Sequence, residues 1–330
     1  MANISTSYLG LNVPSPIIAG SSGLTKNIDT LLKLEKNGVG AVVLKSLFEE
    51  QIAIETHKLE HAAGDNYYPG VEDYFLNYIK HNSIYEYLIL IQKAKAALKI
   101  PVIASINCTS SSEWTAFAAE IEKAGADALE LNIFMLPSDF SKQGGEYENV
   151  YFDIISAIKK QVKIPVAVKI GSHFSGLANF IQKLSFTGIE GIVLFNRFLS
   201  FDIDIEKFDA APSKNALSSP EEIAATLRWI ALLSDKDKMR CGLIASTGVH
   251  DAAAAIKLLL AGAEGVQVCS ALYKHGSELI SRINQDIAVW MDKHKFASIA
   301  DFRGKMNYKN IEDATLFYRT QYLKFASSLE

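Results

Sequence analysis

Residues 262–268 read GAEGVQV, a glycine followed within three residues by a short apolar run. The same junction recurs as GVGAVVL at 38–44, GADALEL at 125–131 and GIEGIVL at 188–194. Each follows a helical stretch. Its first glycine falls where a helix C-terminus calls for a left-handed residue, and the run behind it suits a strand buried in a parallel sheet. A second junction, KIPV at 99–102 and 163–166, uses Pro to stop a helix before VIASI and AVKI. PSPIIAG at 14–20 and CGLIAS at 241–246 complete eight strands.

Most of these strands alternate with helical periods, among them Asn27–Asn37, Ser83–Leu98 and Asp251–Ala261. Eight βα units predict an α/β fold, a single (β/α)8 TIM barrel. The rival is an open doubly wound sheet. That fold usually has fewer strands and a Gly-rich phosphate turn after the first, which AGSSGLT at 19–25 only loosely imitates. One domain is expected over 1–330, with residues 1–13 as an N-terminal extension and 307–330 as a C-terminal tail. Segments 47–82 and 196–219 are too long for plain βα loops and are read as insertions over the C-terminal mouth. The second ends in SPEE, with Ser219 as N-cap, Pro220 at N1 and Glu222 closing a capping box.

The 330 residues are 49% hydrophobic and 21% charged, the balance of a folded globular chain. A net charge of −4 supplies no basic field for nucleic acid. Cys108, Cys241 and Cys269 are odd in number and lack metal-ligand spacing, which suits a reducing compartment. The opening MANISTSYLG lacks the pattern of a signal peptide, and no apolar run reaches membrane-spanning length, so a soluble cytoplasmic protein is expected. His57 and His61 in HKLEH lack the zincin order and read as a solvated loop pair, so no metal site is assigned.

Barrel chemistry gathers at strand C-termini. In chain order these ends carry Ser21–Ser22, Lys45–Ser46, Asn107, Asn132, Lys169, Asn196, Ser246–Thr247–Gly248 and Cys269–Ser270. Two lysines and three amides on one rim form an unusual set, because a buried Lys is costly without an anion nearby. STGVHD and CSALYKHG, after strands 7 and 8, have the small residues that let an anion approach backbone N–H groups. Alternatively, Lys169 could serve a non-flavin aldolase as a Schiff-base amine.

LKS at 44–46, ELN at 130–132, VKI at 168–170, QVCSALYKHG at 267–276 and SIADFRGKM at 298–306 together carry a resemblance. Over about Leu9 to Met306 the chain resembles the dihydroorotate dehydrogenases, closest in plan to the soluble class 1 enzymes and most like a bacterial dihydroorotate dehydrogenase-like subgroup. The resemblance implies an FMN-containing (β/α)8 barrel that oxidises dihydroorotate to orotate in pyrimidine synthesis, often as a homodimer. It implies that Gly20, Ser21 and Ser22 run along the flavin, with Ser46 and Asn107 on the same rim. Lys45 and Lys169 would lie near the pyrimidine edge and ribityl chain, where a cation stabilises the charge of reduced flavin. Thr247, Gly248, Cys269 and Ser270 would hold the phosphate. Asn132 and Asn196 would hold the substrate pyrimidine, since an amide donates and accepts at once; Asn66 is a further substrate-binding candidate.

The chain departs from this pattern at ELNIFMLPSDF, residues 130–140. Family members place a Ser or Cys just before a Pro-Asn pair. It is the general base that takes the C5 proton while hydride leaves C6 for the flavin. Here Met135 stands at that place, Leu136 is an added residue, and Ser138 or Asp139 replaces the Asn. Either the base has moved, with Ser138, Cys108 or a tyrosine of Tyr67–Tyr68 supplying it, or the substrate differs and is less polar, or the site is inactive.

Overall fold

The computed structural model describes residues 2–48, 71–107, 114–198, 201–212 and 216–318. Eight strands form the barrel: β1 (Ile17–Ala19), β2 (Ala41–Val43), β3 (Val102–Asn107), β4 (Ala128–Asn132), β5 (Val166–Ile170), β6 (Gly191–Leu194), β7 (Gly242–Ser246) and β8 (Gly265–Val268). Every neighbouring pair is parallel, and β8 pairs with β1, which closes the sheet. Among the described residues the helices are α1 (Ile28–Lys36), α2 (Val71–Ala97), α3 (Trp114–Lys123), α4 (Gly144–Lys159), α5 (Leu177–Ser185), α6 (Ile223–Leu233), α7 (Ala252–Ala261), α8 (Ser270–His275) and α9 (Glu278–Lys293). This is the expected (β/α)8 barrel, and the eight strands fall on the eight sequence runs.

The glycine junctions act as their sequence implies. α7 begins at Asp251, whose side chain accepts the Ala254 N–H, and ends at Gly262 with φ 115°. That left-handed residue lets the chain turn at once into β8. Its counterparts at 38, 125 and 188 also have positive φ.

Strand alternation sorts the core into two bodies. Ile18, Val43, Ile103, Ala128, Ala167, Val193 and Ile244, one from each of seven strands, point inward and form a small cluster within the barrel. The intervening residues point outward and join the helices in a larger cluster. The base is closed by an antiparallel hairpin, Thr6–Tyr8 with Leu11–Val13. Tyr8, Leu9 and Val13 enter the inner cluster. They fit because Gly191 and Gly265 bear no side chain: a Cβ at 191 would lie 2.4 Å from Leu9 Cδ2, and one at 265 would lie 2.5 Å from Tyr8 Cδ2. The N-terminal segment is thus the plug of the barrel.

β2 is interrupted where Lys45 and Ser46 stand. Val43 pairs with Ile103, and pairing resumes at Leu47 with Ile106, so one extra residue is accommodated on the β2 side. Such a bulge re-aims side chains at a barrel rim.

Both insertions, read as too long for plain loops, carry regular structure among the described residues. α2 starts at Val71, twelve residues before the helical period read from Ser83. VEDYFLNYIKHN lacks Gly and Pro, so its sequence does not interrupt a helix. Residues 49–70, with Asp65, Asn66, the Tyr67–Tyr68 pair, His57 and His61, lie outside the described residues. In the second insertion Phe201–Asp204 pairs antiparallel with Asp209–Pro212. The capping box of Ser219 and Glu222 is formed as expected. Among the described residues no helix is long and apolar enough to cross a membrane, and no group of three or more His, Cys, Asp or Glu is placed to hold a metal.

Replacing Leu9 by Ala removes the side chain that fills the space over Gly191. We expect a loss of about 2–5 kcal/mol in unfolding free energy, read as a lower urea midpoint with an unchanged slope.

Candidate active site

The inward faces of the strands change character toward their C-termini. Two residues beyond Ala128 stands Glu130, and two further Asn132; Ala167 is followed by Lys169, Ile103 by Ser105 and Asn107, Gly265 by Gln267. An apolar layer is therefore overlaid by a polar one.

That layer is a connected network. Lys169 Nζ donates to Gln267 Oε1 at 3.1 Å. Gln267 Nε2 donates to Glu130 Oε2 at 2.5 Å and to Tyr8 Oη at 3.2 Å. Lys169 Nζ lies 4.0 Å from Glu130 Oε1, with side chains 12% and 1% exposed respectively. The amide of Gln267 thus bridges the cation, the carboxylate and the phenol of the plug. Burial, reinforced by the Glu130 charge, pushes the Tyr8 phenol far above its ordinary range, so it stays protonated.

Above this layer, Asn196 Nδ2 donates to Asn132 Oδ1 at 2.6 Å, joining the ends of β4 and β6. A hydroxyl chain joins the ends of β1, β2 and β3. The Ser46 N–H donates to Ser21 Oγ at 2.9 Å, and Ser46 Oγ lies 3.0 Å from Ser21 Oγ and 2.7 Å from Ser105 Oγ. Tyr87 holds Ser105 from α2, donating to its carbonyl and accepting its N–H. Asn107 Oδ1 is buried at the end of β3 with no hydrogen-bond partner among the described residues.

A cavity of about 400 Å³ opens in this mouth, within the size range of small-ligand sites. Its walls include Ser21, Ser22, Lys169, Asn196, Thr247, Gly248, Cys269 and Ser270, together with Gln267 and Arg197. Gly20, Lys45, Ser46, Asn107 and Asn132 stand on neighbouring strand ends, outside its lining. A larger cavity, about 770 Å³, lies at the opposite end of the barrel near Gly10, Arg240, Glu264 and Arg303. It collects no residue from the C-terminal strand ends.

The β7–β8 side of the mouth is the candidate anion cradle. Thr247 and Gly248 are consecutive residues with φ 82° and 77°. A β-branched residue in that region is strained, and successive backbone N–H groups in a turn can form a concavity for an anion. Thr247 Oγ1 donates to the Phe195 carbonyl at 3.2 Å, which helps hold the turn. Across it, the Ser218 N–H donates to Ser270 Oγ at 2.9 Å, while Lys274 Nζ donates to the Ser218 carbonyl at 2.8 Å. Arg197 Nε donates to Glu222 Oε2 at 2.7 Å and its Nη1 to the Ala216 carbonyl at 2.8 Å. Burial works to raise the Glu222 carboxyl, but the Arg197 and Ser219 hydrogen bonds hold it below the ordinary carboxylate range. Burial pushes the Cys269 thiol up, against a hydrogen bond with Ser22 and the charge of Lys169.

Several sequence candidates are not gathered here. Ser138 is exposed and outside the cavity lining. Met135 faces a separate space of about 220 Å³ among Pro137, Tyr147, Tyr151 and Phe174. Phe134 packs against Gly171, where a Cβ would lie 3.1 Å from its ring, and its centroid is 4.3 Å from that of Phe198. Cys108 and Asn66 fall outside the described residues. Conversely, Glu130, Gln267, Arg197 and Ser218 escaped the sequence reading. The first two carried a signal, each standing two residues before a rim residue and hence on the same face of its strand. Arg197 and Ser218 gave none, because a loop's path decides where they fall.

The description "Dihydroorotate dehydrogenase" matches residues 3–291 of the chain. The catalytic subunit of dihydroorotate dehydrogenase B (NAD(+)) from Thermoplasma volcanium is 26% identical over 315 residues, covering 92% of this chain and 98% of the relative. The protein of the same name from Methanocaldococcus jannaschii is 26% identical over 302 residues, covering 86% and 92%. Dihydroorotate dehydrogenase A (fumarate) from Limosilactobacillus reuteri is 25% identical over 302 residues, covering 88% and 94%. The chain belongs to the dihydroorotate dehydrogenase family, flavin-dependent oxidoreductases that act on CH–CH groups.

Two substitutions probe the cradle. A Cβ at Gly248 would lie 2.2 Å from the Ile223 nitrogen, at a positive φ. Gly248→Ala should therefore cost at least about 1–2 kcal/mol, seen as a lower melting temperature. Arg197→Met lets the Glu222 carboxyl return toward its ordinary pKa. A depressed carboxyl contributes stability above its unfolded pKa and loses it as pH falls through the folded one. The pH-dependent part of the wild-type advantage should thus be full at neutral pH and vanish on acidification. It should not exceed about 1 kcal/mol, because Glu222 is half-exposed and solvent screens the pair. Urea melts at a series of pH values read this directly.

Proposed function

We propose that the chain is an FMN-dependent oxidoreductase acting on a small CH–CH substrate, with dihydroorotate the first to test. The observation that carries this reading is the juxtaposition of Lys169 in the cavity wall with the bonded amide pair Asn132–Asn196 beside it. The residues fit the cofactor: Asn107 Oδ1 offers a buried, unpartnered acceptor, and Thr247–Gly248 forms a turn suited to a phosphate. When bound, FMN supplies the two-electron chemistry. Gly20, Ser21, Ser22, Ser46 and Asn107 would follow its ring. Lys45 and Lys169 would supply positive charge, and Thr247, Gly248, Cys269 and Ser270 would hold its phosphate. Asn132 and Asn196 would orient a ring that presents both N–H and C=O groups.

Met135 would stand where relatives carry a proton-accepting Ser or Cys, and a thioether does not take a proton at neutral pH. Ser138 is exposed outside the cavity. A second reading, a substrate with an apolar face, is favoured by Phe134 and Phe198. Their rings lie 4.3 Å apart, and each stands two residues beyond a rim amide, Asn132 and Asn196. The relative from Thermoplasma volcanium is named a catalytic subunit, so a second electron-transfer subunit joins a second copy of this chain among the proposed partners.

The test is anaerobic addition of dihydroorotate to the FMN-loaded chain. Bleaching of the oxidised flavin band supports the first reading; a band that persists but bleaches with dithionite supports the second. If bleaching occurs, Asn196→Ala should slow it by about tenfold or more, the cost of an unpaired polar group, at unchanged FMN content. Equal rates would remove Asn196 from the substrate site.

A further inference from the structure

We infer that Glu130, acting through Gln267 and Lys169, sets the reduction potential of the flavin proposed above, a reading on which this inference rests. Glu130 is a carboxylate with 1% of its side chain exposed, inside the barrel above the inward-facing apolar cluster. A charge in that position is costly unless something compensates it. The compensation here is incomplete. Only Oε2 is hydrogen-bonded, to Gln267, while Oε1 is buried with no hydrogen-bond partner among the described residues and lies 4.0 Å from Lys169 Nζ. Lys169 in turn donates to Gln267 rather than to the carboxylate, and it lines the mouth cavity. An ammonium has three donors, so this arrangement leaves donors of Lys169 available toward the cavity.

The consequence follows from charge. Taking up two electrons and one proton, a flavin gains one negative charge. Lys169 on the cavity side favours that charge, and Glu130 beneath it opposes it by Coulomb repulsion and by drawing on the same ammonium. Glu130 therefore holds the potential down. It is a positioning residue and does not itself meet the substrate. Were its role only to anchor Gln267 and Tyr8 in the plug, its removal would weaken the fold and leave the potential where it was.

The experiment is a spectroelectrochemical titration of the FMN-loaded full-length chain. Glu130→Gln keeps an oxygen to accept from Gln267 Nε2 and removes the charge. Its reduced-to-oxidised ratio at a fixed ambient potential should rise about tenfold, a midpoint about 30 mV more positive for a two-electron couple. Lys169→Gln should move the midpoint in the opposite direction. In the double variant the effect of Glu130→Gln should shrink to less than half, because part of it is exerted through Lys169. An FMN-bound Glu130→Gln protein with the wild-type midpoint overturns the inference and leaves the flavin reading intact. Failure of the wild-type chain to bind FMN overturns that reading and this inference with it. Should Glu130→Gln not fold, Glu130→Asp carries the test. Its shorter carboxylate withdraws from the ammonium, so the shift should have the same sign and smaller size, and no shift overturns the inference.

Discussion

A lysine ammonium inside a barrel is the constraint on which the rest of this structure depends. Lys169 projects inward from β5 and is held by the amide of Gln267, which also reaches Glu130 and the Tyr8 hydroxyl. A cation placed there needs a nearby anion and a hydrogen-bond acceptor: β4 provides Glu130 and β8 provides Gln267, which also donates to the Tyr8 hydroxyl of the base plug. The network ties the floor of the mouth to the hairpin that seals the other end. Tyr8 reaches it because Gly265 leaves room for the ring. Small residues low in the barrel and polar residues high in it are thus two parts of one arrangement.

The architecture was largely legible in the sequence. Gly262, and its counterparts at 38, 125 and 188, carry the positive φ that a helix-to-strand turn needs, and all eight strands lie on the apolar runs read from the sequence. The helical periods read from Asn27 and Asp251 and the Ser219 capping box also coincide with helix starts. What local pattern did not carry was depth. Glu130 and Gln267 read as ordinary strand residues, and only ring closure brings β4 and β8 into contact across the interior. The helical start at Val71 was hidden by the apparent length of an insertion.

The rim shows the same division. Which residue types stand on it was readable, since each follows a strand. Their grouping was not: Asn132 meets Asn196, and Ser21 meets Ser46 and Ser105, while Ser138 is carried out to solvent by the loop after β4. Alternation continued past Asn132 puts Phe134 on the rim side and Met135 outward, against Tyr151 and Phe174. The apolar character of ELNIFMLPSDF is thereby divided between Phe134, which meets Phe198 and Gly171, and Met135, which faces a separate space.

The most direct test of this account is equilibrium titration of flavin-free protein with FMN and, separately, with riboflavin, followed by flavin fluorescence. The cradle at Thr247–Gly248 and the Lys169 floor predict saturable binding of one FMN per chain. They also predict that riboflavin, which lacks the phosphate, binds roughly tenfold or more weakly. No saturable binding of FMN, or equal affinity for the two flavins, would contradict it.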